Sequence, residues 1–302
     1  MVEEKVKIIP TGITSLDGLV GGGFPAGSFV VLFEEMGAGA KEFSITSSMM
    51  LGAIKAGRLK RSLGKNIVLP KKVLWAMFTR AWPDLMREVE SSFDRELYEF
   101  FNKHVESVDF SEDYFVTSSV PLEWISAESA KRRQKEALGT LGGALTEIHR
   151  LAGAPVSKPK GILSSLADFL TDQASSNVVF LYTLTDLARL YSDSEEKWYE
   201  FALFIRGLQR ATKKWGGIVY ANFNTNLLDK RMEEEIALCA DGVLSFEWAR
   251  AGPTQRRRTL EVKKFSGLLS YAKGAAMRFE VDITPSAGLQ VIRPELVEGL
   301  RA

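Results

Sequence analysis

The sequence predicts an α/β fold with a mostly parallel central sheet, helices on both of its faces, and a C-terminal antiparallel β extension. Three observations predict it. Short, continuously apolar runs alternate with stretches of helical spacing through the first 220 residues, as in parallel sheets buried on both sides. After residue 240 the strand-like runs follow one another without intervening helices. Finally, 45% of the chain is hydrophobic and 25% charged, the ordinary composition of a soluble globular protein.

Taken in order, residues 11–28, "TGITSLDGLVGGGFPAGS", are punctuated by glycine and proline around a short apolar turn, "SLDGLV". "SFVVLF" reads as a buried strand, and "KEFSITSSMMLGAIKAG" follows with Phe43, Ile45, Met49, Met50 and Ile54 at helical spacing and Gly57 as its stop. Residues 58–72 read as a loop; from Lys55 to Lys72 there are seven basic residues and no acid. "VLWAMF" predicts a second strand, "PDLMREVESSFDRELYEFF" one long amphipathic helix opened by Pro83, and "DYFVTS" a third strand. Roughly residues 121–153 read as a mixed, charged helical region with a glycine-rich break, within a loop or insertion region of about 121–160. "ILSSLADFLTDQ" predicts a helix, "NVVFLYTL" the most apolar strand, and "EEKWYEFALFIRGLQRATKKW" a helix ended by Gly216 and Gly217. "GIVYANF" (strand), "RMEEEIALCA" (helix) and the strands "GVLSFEWAR", "RRRTLEVKKF", "AMRFEVDIT" and "GLQVIR" complete the chain. With no repeat or low-complexity linker, residues 1–302 are expected to form a single domain.

Composition excludes several functions. A net charge of +1 gives no global pull toward nucleic acid or membrane. One cysteine, Cys239, and two distant histidines, His104 and His149, make neither a disulfide nor a Cys- or His-based metal site, so no metal ligand is assigned. No apolar run approaches the roughly 18 residues that span a bilayer, and the acidic start "MVEEKVKIIP" does not read as a signal peptide. A cytoplasmic location is the expectation.

The apolar run "SFVVLF" leads through "EEMGAGAK" into a helix, the place of a phosphate-binding loop of pattern G-x-x-x-x-G-K-[ST]. On that frame Gly39 fits the second glycine, Glu34 takes the place of the first, Ala40 that of the lysine and Lys41 that of the Ser/Thr; Glu35, Met36, Gly37 and Ala38 lie between. Alanine carries no charge for a phosphate, and lysine cannot ligate magnesium, which takes oxygen donors. Glu34 and Glu35 put like charge where an anion would sit, each costing about 1–4 kcal/mol at about 4 Å unless it points away. Two arrangements suit these residues: the glutamates salt-bridged to Lys41 or Arg80, filling the site internally, or Lys41 swung back to an anion at the helix N-terminus. Gly37 and Gly39 also suit a plain strand-to-helix turn at positive φ.

The stretch "TGITSLDGLVGGGFPAGSFVVLFEEMGAGAKEF" resembles the opening of the RecA superfamily of P-loop ATPases, specifically its archaeal and cyanobacterial KaiC-like branch, with a TGI-x-x-LD-x-L-x-GGG-[IF]-P-x-G-S approach to the Walker A strand; "ADGVLSFEW…RRRTLEVKKFSG" is similar to the family's late hairpin. The resemblance implies a RecA-like P-loop core, and it implies which positions carry ATP hydrolysis. Here they are altered: the Walker B aspartate position is Tyr182, with Asp186 four residues on; the paired catalytic glutamates are Thr79 and Arg80; and the K-x-R-G motif that reaches a neighbour's γ-phosphate keeps Lys264 but has Ser266 for arginine. Phosphoryl transfer in P-loop ATPases is positioning and electrostatics from these groups, so the expectation is a pseudo-ATPase with a degenerate Walker A and no catalytic residue. Family members commonly form hexameric rings with nucleotide between subunits; Ser266 puts a nucleotide-bridged ring in doubt, while self-association remains open.

Three functions fit. The first is a non-hydrolysing regulatory or scaffold protein, paired with a protein partner or an active paralogue and needing no cofactor. The second is a sensor that binds ATP or ADP weakly without turnover. The third is a DNA-binding recombination accessory protein using the basic stretch 55–72, which lacks the aromatic platforms of single-strand binders.

Overall fold

The computed structural model describes residues 6–58, 66–115, 118–121, 124–125, 161–252, 255–265 and 278–295. A two-residue pair, β1 (Ile8–Ile9) with β2 (Phe24–Pro25), lies outside the main sheet. The parallel part of that sheet comprises β3 (Ser28–Glu34), β4 (Val73–Met77), β5 (Val105–Asp109), β6 (Val178–Tyr182), β7 (Ile218–Asn224) and β8 (Gly242–Arg250). The antiparallel extension adds β9 (Arg256–Phe265), β10 (Arg278–Thr284) and β11 (Gly288–Glu295) beyond β8. The nine strands run in the order β11-β10-β9-β8-β3-β7-β6-β4-β5.

Every residue of β3 is buried because both sheet faces are covered. The approach to β3 is fixed by Asp17 on α1 (Thr14–Leu19), buried, whose carboxylate accepts from Thr11 N and Oγ1, both at 2.8 Å, and from Gly12 N at 3.1 Å. On one face α2 (Ala40–Lys55) sets Phe43 and Met49 against Val30, Leu32, Trp75, Phe180 and Tyr220. On the other, α6 (Ile162–Gln173), α7 (Leu184–Arg189), α8 (Glu195–Trp215) and α9 (Lys230–Cys239) cover Phe29, Val31, Ala76, Leu181 and Val219. This alternation along β3 is the period-two geometry of a strand buried on both sides.

Three expectations of local structure change. The long helix after Pro83 is two, α3 (Trp82–Ser92) and α4 (Arg95–His104), because Phe93 is extended and Asp94 N-caps the second by position. "DYFVTS" is not a strand: α5 (Ser111–Phe115) occupies its start, and the third strand is the polar edge β5, whose half-exposed residues lack the apolar run that marks an interior strand. "NVVFLYTL" ends as a strand at Tyr182 and turns at once into α7, as the alternation of Leu184, Leu187 and Ala188 on a buried helical face requires. Most of 121–160 and residues 59–65 of the basic stretch lie outside the described residues.

Candidate functional site: a phosphate-type loop closed by its own glutamate

The loop between β3 and α2 turns through Gly37 at φ 74° and Gly39 at φ 121°, conformations that glycine adopts without strain. It thereby points the amides of Gly39 and Ala40 inward at the N-terminus of a 16-residue helix, where N–H groups and the helix dipole favour an anion. The anion there is the chain's own. Glu34, the last residue of β3 and only 9% exposed, turns its carboxylate into the loop, where Oε1 accepts from Gly39 N at 2.9 Å and Ala40 N at 3.2 Å. Burial pushes the Glu34 carboxyl above the ordinary range and Glu42 pushes the same way; the two amides and Lys41 oppose.

Glu35, Met36 and Gly37 bind the β8–β9 hairpin. Glu35 Oε2 accepts from Trp248 N at 2.9 Å, Met36 O from Trp248 Nε1 at 3.1 Å, and Gly37 O from Arg258 Nε at 3.1 Å. Ala38 and Ala40 are fully buried. The Met36 side chain itself is 90% exposed at the loop tip.

The expected bridges between the glutamates and the two cations are not what forms. Lys41 and Arg80 instead share one carboxylate, that of Glu88 on α3. Lys41 also approaches Glu42 at 3.4 Å, and the Arg80 guanidinium acts on the Tyr182 hydroxyl. The two cations hold the Glu88 carboxyl below its ordinary value against the effect of burial, and Glu88 in turn raises both cations. Burial raises the Tyr182 hydroxyl despite Arg80. A cleft of about 270 Å³ beside this cluster is lined by Glu42, Glu88, Arg258 and Thr284 among others.

At the ends of β4 and β6 the groups are neutral or already engaged. Asp186 Oδ2 accepts from Thr79 Oγ1 and from Thr183 Oγ1, each at 2.6 Å, so the structure does bring Thr79 and Asp186 together, as a turn lock. Lys264 Nζ caps the end of α9, donating to Ala237 O at 3.2 Å and Leu238 O at 3.0 Å. Ser266 lies outside the described residues. Among the described residues no cluster of three or more His, Cys, Asp or Glu is placed to hold a metal ion, and no helix is long and apolar enough to cross a membrane.

Sequence reasoning missed Glu88, Trp248 and Arg258. Glu88 was detectable in principle: it lies beside Val89 and three residues after Leu85, the buried stripe of α3, which puts it on the shoulder of that face. Trp248 and Arg258 had no local signal, because the pairing that brings them to the loop spans more than 200 residues of chain.

No protein-family model and no curated protein matches the sequence. Among solved structures the chain is similar to a KaiC-like protein, PH0186, of the hyperthermophilic archaeon Pyrococcus horikoshii OT3, with a TM-score of 0.56 and 17% identity over 95% of this chain and 100% of that one. The likeness is one of fold: this chain has a KaiC-like, RecA-type α/β core with a C-terminal antiparallel extension.

Proposed function

We propose that the chain is a non-hydrolysing relative of the KaiC-like ATPases, a pseudo-ATPase that acts as a regulatory or scaffold protein through a protein partner or an active paralogue. The observation that carries this reading is the Glu34 carboxylate on the amides of Gly39 and Ala40, the groups a phosphate would use. The rest of the site agrees with it. Lys41 and Arg80 share the Glu88 carboxylate, Tyr182 and Thr79 carry no carboxylate, and one oxygen of Asp186 is held by Thr79 and Thr183. In this reading no nucleotide is a resident cofactor, because an incoming phosphate would have to displace a tethered anion and then lie beside it.

The test is phosphate release from Mg·ATP by the purified chain, with the Arg80→Ala variant alongside. The expected rate is that of buffer alone for both. Turnover in the wild type that falls in the variant would overturn the proposal, since it would place Arg80 in working chemistry.

A further inference from the structure

The β8–β9 hairpin carries a feature that folding alone does not explain. Arg250 and Arg256 are directly opposite each other in the antiparallel pair, and both are exposed. Like charges in that position oppose pairing. Two residues inward on the same face, Trp248 pairs across the strands with Arg258, whose guanidinium lies 4.6 Å from the indole ring centre. The carboxylates of the neighbourhood are committed elsewhere. Glu247, on the opposite face of β8, accepts from Lys263 at 2.7 Å and faces Arg278 at 3.6 Å. Glu280 holds Arg293 at 2.7 Å and Arg257 at 3.8 Å, and Glu35 accepts from the Trp248 amide. Among the described residues no carboxylate pairs with Arg250 or Arg256. Exposed Met36 stands beside this face, tied to it through its carbonyl and the Trp248 indole N–H.

We propose that this face, Met36 with Trp248, Arg250, Arg256 and Arg258, is a docking surface for an acidic segment of another protein that also carries apolar side chains. Two unpaired guanidiniums present fork-shaped donors that match carboxylates, and an exposed methionine is an adaptable apolar contact. A nucleic acid is the poorer fit: single-strand binding uses free aromatic faces, whereas one face of Trp248 is covered by Arg258 and its N–H is already spent on Met36 O. The like-charge pair then has a reason, since an acidic partner removes the repulsion that the free protein tolerates. The inference stands whether or not the loop binds nucleotide.

The experiment is fluorescence polarisation at low salt with a labelled synthetic peptide of alternating glutamate and leucine, and with labelled single-stranded oligothymidine in parallel. Thermal unfolding of the same samples is recorded. Wild type should bind the peptide. Arg256→Glu should weaken binding by about threefold to tenfold, the loss of an exposed charge pair together with the repulsion that the new carboxylate adds, while unfolding at the same or a higher temperature because it faces Arg250 with an opposite charge. Met36→Gln should weaken peptide binding about twofold to fivefold without changing the melting temperature. An Arg250→Ala/Arg256→Ala double variant guards against a folding defect in the charge reversal and should also lose the peptide. Absence of peptide binding by the wild type, undiminished binding by both arginine variants, or oligothymidine binding that exceeds peptide binding and is lost with the arginines would each overturn the proposal.

Discussion

Replacing Glu34 by glutamine and by alanine separates its two contributions. Glutamine keeps an oxygen for the amides of Gly39 and Ala40 and removes the charge; alanine removes both hydrogen bonds from a position only 9% exposed. A buried amide left without a partner costs about 1–3 kcal/mol. With water entering the freed space, alanine should lose about 2–3 kcal/mol in all, or roughly 3–5 °C of melting temperature for a chain of this size. Glutamine should stay within about 1 kcal/mol of the wild type, or exceed it at neutral pH. The reason is the sign of the Glu34 shift. Burial raises its carboxyl above the ordinary value of 4.5, so its contribution to stability is full below that value and is lost as pH rises through the folded-state pKa. The Glu34→Gln variant has no such slope, so its stability relative to wild type should climb as pH is raised from 4.5 toward neutral. Sulfate should restore part of the alanine variant's loss, because its helix N-terminus is again an open anion site; at ten times the dissociation constant the gain is about 1.4 kcal/mol. Denaturant melts at several pH values, with and without sulfate, read all of this. If alanine costs no more than glutamine because neither variant loses stability, and sulfate acts equally on all three proteins, the carboxylate is not the loop's internal ligand.

Other outcomes follow from neighbouring contacts. Glu88→Gln removes the counter-ion shared by Lys41 and Arg80 and should cost about 1–2 kcal/mol, tempered by partial solvent access. Because the Glu88 carboxyl is held low, the wild-type advantage should be full above pH 4.5 and fade as pH falls through the folded-state value, measurable in paired acid titrations of stability. The double substitution Ala40→Lys with Lys41→Thr should give no phosphate release from Mg·ATP. It leaves Glu34, Tyr182, Thr79 and Arg80 in place and also strips Glu88 of one partner. Gly23→Ala would bring its Cβ to 2.2 Å from Ile9 O at φ 139°, and should cost well over about 2 kcal/mol. Gly21→Ala, at φ 76° in open space, should cost only the backbone strain of about 1–2 kcal/mol; equal losses in thermal melts of the two variants would show that the contact with β1 is unimportant.

The fold was legible wherever one local signal dominated. Residues 195–215 match α8 end to end because Ser194 caps one end and Gly216, at φ 64°, stops the other. Strands β3, β4, β6 and β7 were visible as strongly apolar runs, since both faces of the sheet are covered there. The edge strand β5 was not, because a half-exposed strand with Glu106 and Asp109 carries no such run. At the site, the altered positions Glu34, Ala40, Lys41, Thr79, Arg80 and Tyr182 were readable one by one. Their partners were not. That Glu34 turns inward rather than toward Lys41, and that Glu88 gathers both cations, depends on how α2, α3 and β6 meet in space. Charge type is written in sequence; the choice among several carboxylates within reach is made by packing.

The most direct test of the central claim, that the loop is filled from within, is a thermal-unfolding scan of the wild-type chain with and without millimolar Mg·ATP, with Mg·ADP as a second arm. The predicted result is a melting temperature that neither nucleotide raises, while the Glu34→Ala variant responds to anions. A rise of several degrees in the wild type that saturates with nucleotide, the signature of a ligand bound by the folded state, would contradict it.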